Sequence, residues 1–321
     1  MKPPRLREHL RADVHSPASR GPATLTGRAI LALLSALTLL GGGGCSTVLS
    51  TLGDDPAGAA RGATFYLGGA GTFGNIGNYS VREGLRSGGY HGAIDVVPWQ
   101  SWFGDVLRDQ MDRTRNEREA QRFADRITEY ARQYPGRRAN IIALSAGTGI
   151  ATWAIERLPD DVRVGTVVFL GSSLSRRYDL TAALGRLDGK LYVFYSPDDP
   201  VLRYGVPLAG TVDRDGDNRT AAGLTGFALP RSADPATVEI YNRKLRNMGW
   251  KPRYARYGYR GLHTDGTRER FVTAVIAPLM REPLDPREPL SPQPPAHAQG
   301  TTTAPAPNAA DARTAAANAG D

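Results

Sequence analysis

Ile141-Ile142-Ala143-Leu144-Ser145-Ala146-Gly147-Thr148-Gly149 is the stretch that decides how this chain folds. Four apolar residues run into a serine, and small residues suited to the start of a helix follow it. A short apolar run closed by a small-residue turn reads as a buried strand. A helix beginning immediately after it makes a sharp strand-to-helix turn with Ser145 at the apex. Such a turn strains the serine backbone, and side chains two places before and two places after it must be small or they collide. Ala143 and Gly147 meet that demand. Two readings fit these residues alone: Ser145 is a nucleophile held out on the turn, or it is an ordinary N-cap serine.

Working outward, strands and helices alternate. Thr64–Leu67 and Ile94–Val97 read as strands, the second ending at Pro98-Trp99. Asp105 to Tyr134 is a charged, amphipathic helical stretch with a break near Thr114, and it stops before Pro135-Gly136. Asn140–Leu144 leads to Ser145, and Val164–Leu170 is an almost wholly apolar strand. Lys190–Tyr195 and Tyr254–Tyr259, rich in aromatic residues, complete six. Six strands separated by helices predict an α/β protein with a parallel sheet buried on both faces.

Two polar clusters follow Ser145 in a telling order. The fifth predicted strand runs into Ser196-Pro197-Asp198-Asp199-Pro200-Val201, and the sixth into Arg260-Gly261-Leu262-His263-Thr264-Asp265 before a helix. The order Ser, Asp, His, each after a strand, resembles the α/β-hydrolase superfamily of the esterase/lipase kind. The resemblance covers roughly residues 64–279. It implies a minimal α/β-hydrolase fold, an about six-stranded parallel sheet with helices on both faces. The antiparallel strands that usually open the fold have no room before Thr64. The family's G-x-S-x-G is here Ala143-x-Ser145-x-Gly147, the smallest departure available. The resemblance implies Ser145 as nucleophile, His263 as base and Asp199 as the acid that orients it. Asp198 lies on the same loop, but adjacent residues leaving a strand point to opposite sides. The family pattern places the acid directly before a residue followed by valine, as in Asp199-Pro200-Val201. An oxyanion hole is implied from the N–H of Ala146 and of Ala70 in Gly68-Gly69-Ala70-Gly71. Where many relatives have His-Gly this chain has Gly68-Gly69, and a plain flexible glycine turn is the rival reading. No G-x-x-x-x-G-K-[ST] phosphate loop is present.

The function expected on these grounds is cleavage of a carboxylic ester, from a small-molecule or a lipid substrate, through an acyl-enzyme. No cofactor is expected. Two rivals stand: an acyltransferase on the same triad, and a non-catalytic envelope lipoprotein using the fold to bind. Asp213, Asp215 and Asp217 hint at a calcium loop, but Leu224 stands where a twelfth-position glutamate belongs, so no metal is expected. His91 reads as a surface residue, and Trp99, Trp102 and Phe103 as core or one wall of an acyl pocket. Residues 202–250, between acid and base, read as an insertion over the site, with Phe227 and Leu229 as lining.

The termini read differently. Basic residues precede the twelve-residue apolar run Ala29–Leu40, then glycines and Cys45, the one cysteine of the chain. The run has the length of a signal core and is short for a bilayer span. The arrangement resembles a bacterial lipoprotein box, with Gly42 where leucine is typical; cleavage elsewhere or an uncleaved anchor are the alternatives. The chain is therefore expected to divide into an export segment (1–45), a tether (46–62), the α/β domain (63–280) and a disordered Pro/Ala/Thr-rich tail (281–321). The expected location is the bacterial cell envelope, lipid-anchored through Cys45, on the periplasmic face of the outer membrane in a Gram-negative cell. The formal charge is +8. No basic stripe interleaved with aromatics stands out, so nucleic acid is not an expected partner. The sequence leaves the oligomeric state open.

Overall fold

The computed structural model describes residues 55–71, 76–101, 105–214 and 220–281. The export segment with Cys45, Trp102, Phe103, Asp215, Asp217 and the tail beyond Arg281 lie outside the described residues. Six strands form one sheet: β1 (Ala63–Leu67), β2 (Ala93–Val96), β3 (Ala139–Leu144), β4 (Val167–Leu170), β5 (Leu191–Tyr195) and β6 (Leu245–Gly249). Their order across the sheet is β2-β1-β3-β4-β5-β6, and every pairing is parallel. Helices cover both faces, as the resemblance implies.

The two faces follow from side-chain alternation along each strand. Phe65, Leu67, Ile141, Ala143, Val167, Phe169, Leu191 and Val193 point one way and pack with Phe123, Ile127, Tyr130, Ile150 and Trp153. Those residues come from the helices Arg113–Gln133 and Gly147–Glu156. Tyr66, Ile142, Leu144, Val168, Leu170, Tyr192 and Phe194 point the other way, against Val81, Leu85, Phe271, Val272 and Ile276. These come from the helix Asn78–Ser87 and the final helical stretch 269–281. Both faces are apolar, so the strands read as continuous apolar runs rather than alternating ones.

Several expectations need correction. The domain begins inside the segment read as tether: Asp55 caps the helix Pro56–Ala59, and Ala59 is fully buried under Tyr130, whose hydroxyl donates to the Ala59 carbonyl (2.9 Å). The long charged helix does break near Thr114, at Asp112, where the Asp112 carboxylate caps a new helix at the Arg115 N–H (3.0 Å). The fourth strand starts at Val167; Val164 makes only an isolated bridge, to Leu187.

The sixth strand is the largest correction. It is Leu245–Gly249, within the stretch read as an insertion, while Tyr254–Tyr259 is not a strand. Pro252–Tyr257 forms a 3₁₀ turn closed by Gly258 at φ +90°. Leu-Arg-Asn-Met-Gly has no β-branched or aromatic residue, and as an edge strand it is only half-buried, so its pattern is weak. The tyrosines are aromatic for a different reason. Tyr254 and Tyr259 stack on one another (6.1 Å, 7°) and meet the Phe271 ring edge-on. The same segment interleaves Lys251, Arg253, Arg256 and Arg260 with these tyrosines and Tyr257, so the chain does contain a basic stretch with aromatics.

Candidate active site

The carboxyl ends of β3, β4 and β5 lie side by side, and the chain leaves each in a different way. After β3 the ladder runs one residue further, the Ser145 N–H donating to the Leu170 carbonyl (3.0 Å). Ser145 then turns at φ +54°, one of two non-glycine residues at positive φ among the described residues. That conformation costs about 1–3 kcal/mol and persists only where the surroundings impose it. The loop after the neighbouring strand β1 packs closely against the residues that follow Ser145. A Cβ on Gly147 would stand 2.4 Å from the Gly68 carbonyl oxygen. The serine does not cap the helix behind it: the cap position is Ala146, without a side-chain bond. The Thr148 hydroxyl instead donates to the Ser145 carbonyl (2.6 Å).

After β5 the chain reaches Asp199, 2% exposed. One carboxylate oxygen accepts the Leu202 N–H (3.1 Å), capping the helix Pro200–Ala209 with Pro200 in its first turn. The other lies 2.7 Å from His263 Nδ1. Asp198 is exposed. An ionised carboxylate only accepts, so the pairing puts the imidazole proton on Nδ1 and leaves Nε2 as the basic atom. The His263 loop is itself fastened. Asp265, 1% exposed, accepts the N–H of Arg260 (2.9 Å) and Leu262 (3.3 Å) with one oxygen, and the Arg268 guanidinium (2.8 Å) with the other. Below the pair, burial first and then the charges of Asp199 and Asp265 hold the Tyr259 hydroxyl protonated well beyond the ordinary tyrosine range. Gly171, directly after β4 at φ +51°, lets the pair approach: a Cβ there would meet His263 Nδ1 at 3.2 Å and the Asp199 carboxylate at 3.3 Å.

The loop after β1 lies against the serine. A Cβ on Gly69 would stand 3.2 Å from Ser145 Cβ and 3.8 Å from its Oγ. Successive peptides of this loop are each held from outside. Trp99 Nε1 donates to the Gly68 carbonyl (2.9 Å), and Gln100 Nε2 to the Gly69 carbonyl (3.0 Å). The Gly71 N–H donates to the Asp109 carboxylate (2.8 Å). In a planar trans peptide the N–H points opposite to the C=O. Holding the Gly69 carbonyl therefore sends the Ala70 N–H the other way. Asp109 is fully buried and also accepts the Ser101 N–H (2.8 Å) and pairs with Arg115 (3.3 Å). Ala146, ahead of the helix Gly147–Glu156, has an N–H without an intrahelical acceptor.

The structure thus brings Ser145, Asp199, His263 and the 68–71 loop to one rim of the sheet. Sequence reasoning missed Gly171, Asp109, Gln100 and Asp265, which touch these residues or their loops. A glycine directly after an apolar strand was a usable signal for Gly171; Asp109 acts across 38 positions and leaves no local pattern, whereas Asp265 acts within five residues of itself. Trp99 is core, 1% exposed. Phe227 is core as well, packed on Phe169 (6.4 Å), and Leu229 packs beside it, so neither is shown lining the site. His91 is exposed, as expected. Asp213 spends its carboxylate on the Ser175 N–H and hydroxyl (2.9 and 2.6 Å).

No protein-family model matches the chain, and no curated protein matches it in sequence. Among solved structures it is similar to an uncharacterized protein from Bacillus cereus, with 12% identity and a TM-score of 0.38 over 68% of this chain and 59% of that one. It is also similar to lipase B of Aspergillus fumigatus, with 14% identity and a TM-score of 0.39 over 71% of this chain and 55% of that one. The chain spans less than two thirds of the length of either.

Proposed function

We propose that the protein is a serine hydrolase that cleaves a carboxylic ester. The observation that carries this reading is the buried Asp199–His263 pair (2.7 Å) on the sheet rim where Ser145 makes its strained turn. In this mechanism His263 Nε2 takes the Ser145 hydroxyl proton as Oγ attacks the ester carbonyl. Asp199 keeps the Nδ1 tautomer and stabilises the imidazolium. The N–H groups of Ala70 and Ala146 receive the charge that develops on the carbonyl oxygen. His263 then protonates the leaving alcohol, and water repeats the attack on the acyl-enzyme. The carboxylic acid leaves and the enzyme returns to its starting state.

The test is hydrolysis of a short p-nitrophenyl ester by the wild-type protein and by Ser145→Ala. Loss of turnover by at least about 10³-fold is expected, since the residual rate of triad enzymes comes from the oxyanion hole and binding alone. Unchanged turnover in the variant would overturn the reading.

We further propose, from the apolar run before it, that Cys45 is acylated and tethers the domain to an envelope membrane. Mass spectrometry of the mature amino terminus is expected to find a lipid-modified Cys45; an intact Met1 or a cut elsewhere contradicts it.

A further inference from the structure

The segment that delivers His263 is strongly cationic. Positions 243–270 carry nine basic and two acidic residues. Lys251, Arg253, Arg256, Arg260 and Arg270 are all exposed, and none pairs with a carboxylate among the described residues. Their arrangement is imposed by the fold. In the 3₁₀ turn Pro252–Tyr257, residues three apart eclipse, so Arg253 and Arg256 stand on one side. Tyr254, on another side, is anchored in the core. Each of the two guanidinium groups rests on a tyrosine ring, Arg253 over Tyr254 (5.5 Å) and Arg256 over Tyr257 (4.6 Å), which keeps the charges outward and apart. The Arg268 stem crosses the same turn at Gly258. Leu262, next to His263, is 49% exposed at the end of this segment.

We propose that this cationic rim docks the protein on an anionic lipid surface, with Leu262 entering the headgroup layer. Exposed arginines in one segment with an exposed leucine match a phosphate-bearing surface over an apolar one. The rings that single-stranded nucleic acid would need are covered. Tyr254 and Tyr259 are buried, and Tyr257 lies half-buried under Arg256, so the tyrosines of this segment offer bases no exposed stacking platform. The docking does not depend on the ester-hydrolase reading, because it uses none of the catalytic groups. If both hold, it brings the His263 side of the site to the lipid.

The experiment is amide hydrogen exchange of the full chain on vesicles of phosphatidylcholine alone and of phosphatidylcholine mixed with phosphatidylglycerol. The neutral vesicles report whatever the amino-terminal apolar run contributes. Each arginine near an anionic surface strengthens binding roughly fivefold, so exchange across 251–262 is expected to slow at least about fivefold on the anionic vesicles relative to the neutral ones. High salt should reverse the slowing. R253E/R256E, both at exposed positions, should abolish it while keeping the wild-type unfolding midpoint. Equal exchange on the two vesicles would overturn the proposal, as would slowing confined to other segments or slowing that survives in the variant. Slowing of 251–262 by a single-stranded oligonucleotide and not by anionic vesicles would also overturn it, in favour of nucleic acid.

Discussion

Two adjacent carboxylates, Asp198 and Asp199, show how much a single residue's placement decides. They are chemically the same, yet one is exposed and the other is 2% exposed with both oxygens committed, to His263 and to the Leu202 N–H. Pro200 restricts Asp199 to extended backbone, and Asp199 adopts it, at φ −65° and ψ 107°. The same side chain therefore starts a helix and orients the imidazole. Asp199→Asn keeps an acceptor for the helix but can present an N–H to Nδ1, favouring the wrong tautomer. Its kcat is expected to fall by up to ~10⁴-fold, while Asp198→Asn stays within about tenfold of wild type. Steady-state turnover of the two variants side by side checks this; a larger loss in Asp198→Asn would contradict it. Ser145 was legible at the same scale because small neighbours at fixed spacing are a local demand of the turn. Gly171 was legible only as a glycine directly after an apolar strand; its actual constraint is the approach of His263 and Asp199, which arrive from 28 and more positions away.

Among elements, the loop 68–71 gains its shape from neighbours rather than from its own sequence. Four small residues permit many conformations. Trp99, Gln100 and Asp109 select one by holding three of its backbone groups. Gln100 is the cleanest to remove, being only partly buried. Deleting an oxyanion donor outright costs about 10²–10³ in kcat. Gln100→Ala leaves the Ala70 N–H present but unheld, so kcat is expected to fall about tenfold with KM little changed. A rise in KM at constant kcat would assign Gln100 to ground-state binding instead. Strand legibility divides along the same line. β1, β3 and β5 are buried on both faces and show as apolar runs. β6 is a half-exposed edge without β-branched residues, so the aromatic turn beside it looked the better strand.

For the whole molecule, the parallel order β2-β1-β3-β4-β5-β6 gathers the exits of β1, β3, β4 and β5 on one rim, while one pH response of stability lies elsewhere. Glu156 ends the helix that Ser145 precedes, and both its oxygens meet the Tyr178 hydroxyl (3.0 and 3.1 Å). Burial pushes its carboxyl from 4.5 up to about 7. The folded state then holds a proton that the unfolded chain releases, so this group's stabilising contribution is whole below pH 4.5 and is lost as pH rises to about 7. Wild type is expected to lose up to about 3 kcal/mol across that window relative to Glu156→Gln. Urea unfolding of both proteins at the two ends of the window checks it; parallel pH profiles would contradict it. The central claim, that Ser145 is a nucleophile armed by His263 and Asp199, is tested most directly by treating the full chain with a fluorophosphonate probe and mapping the modified peptide. The label is expected on Ser145, and in neither Ser145→Ala nor His263→Ala. A label on Ser172 or Ser173, or labelling that persists in Ser145→Ala, would contradict the account.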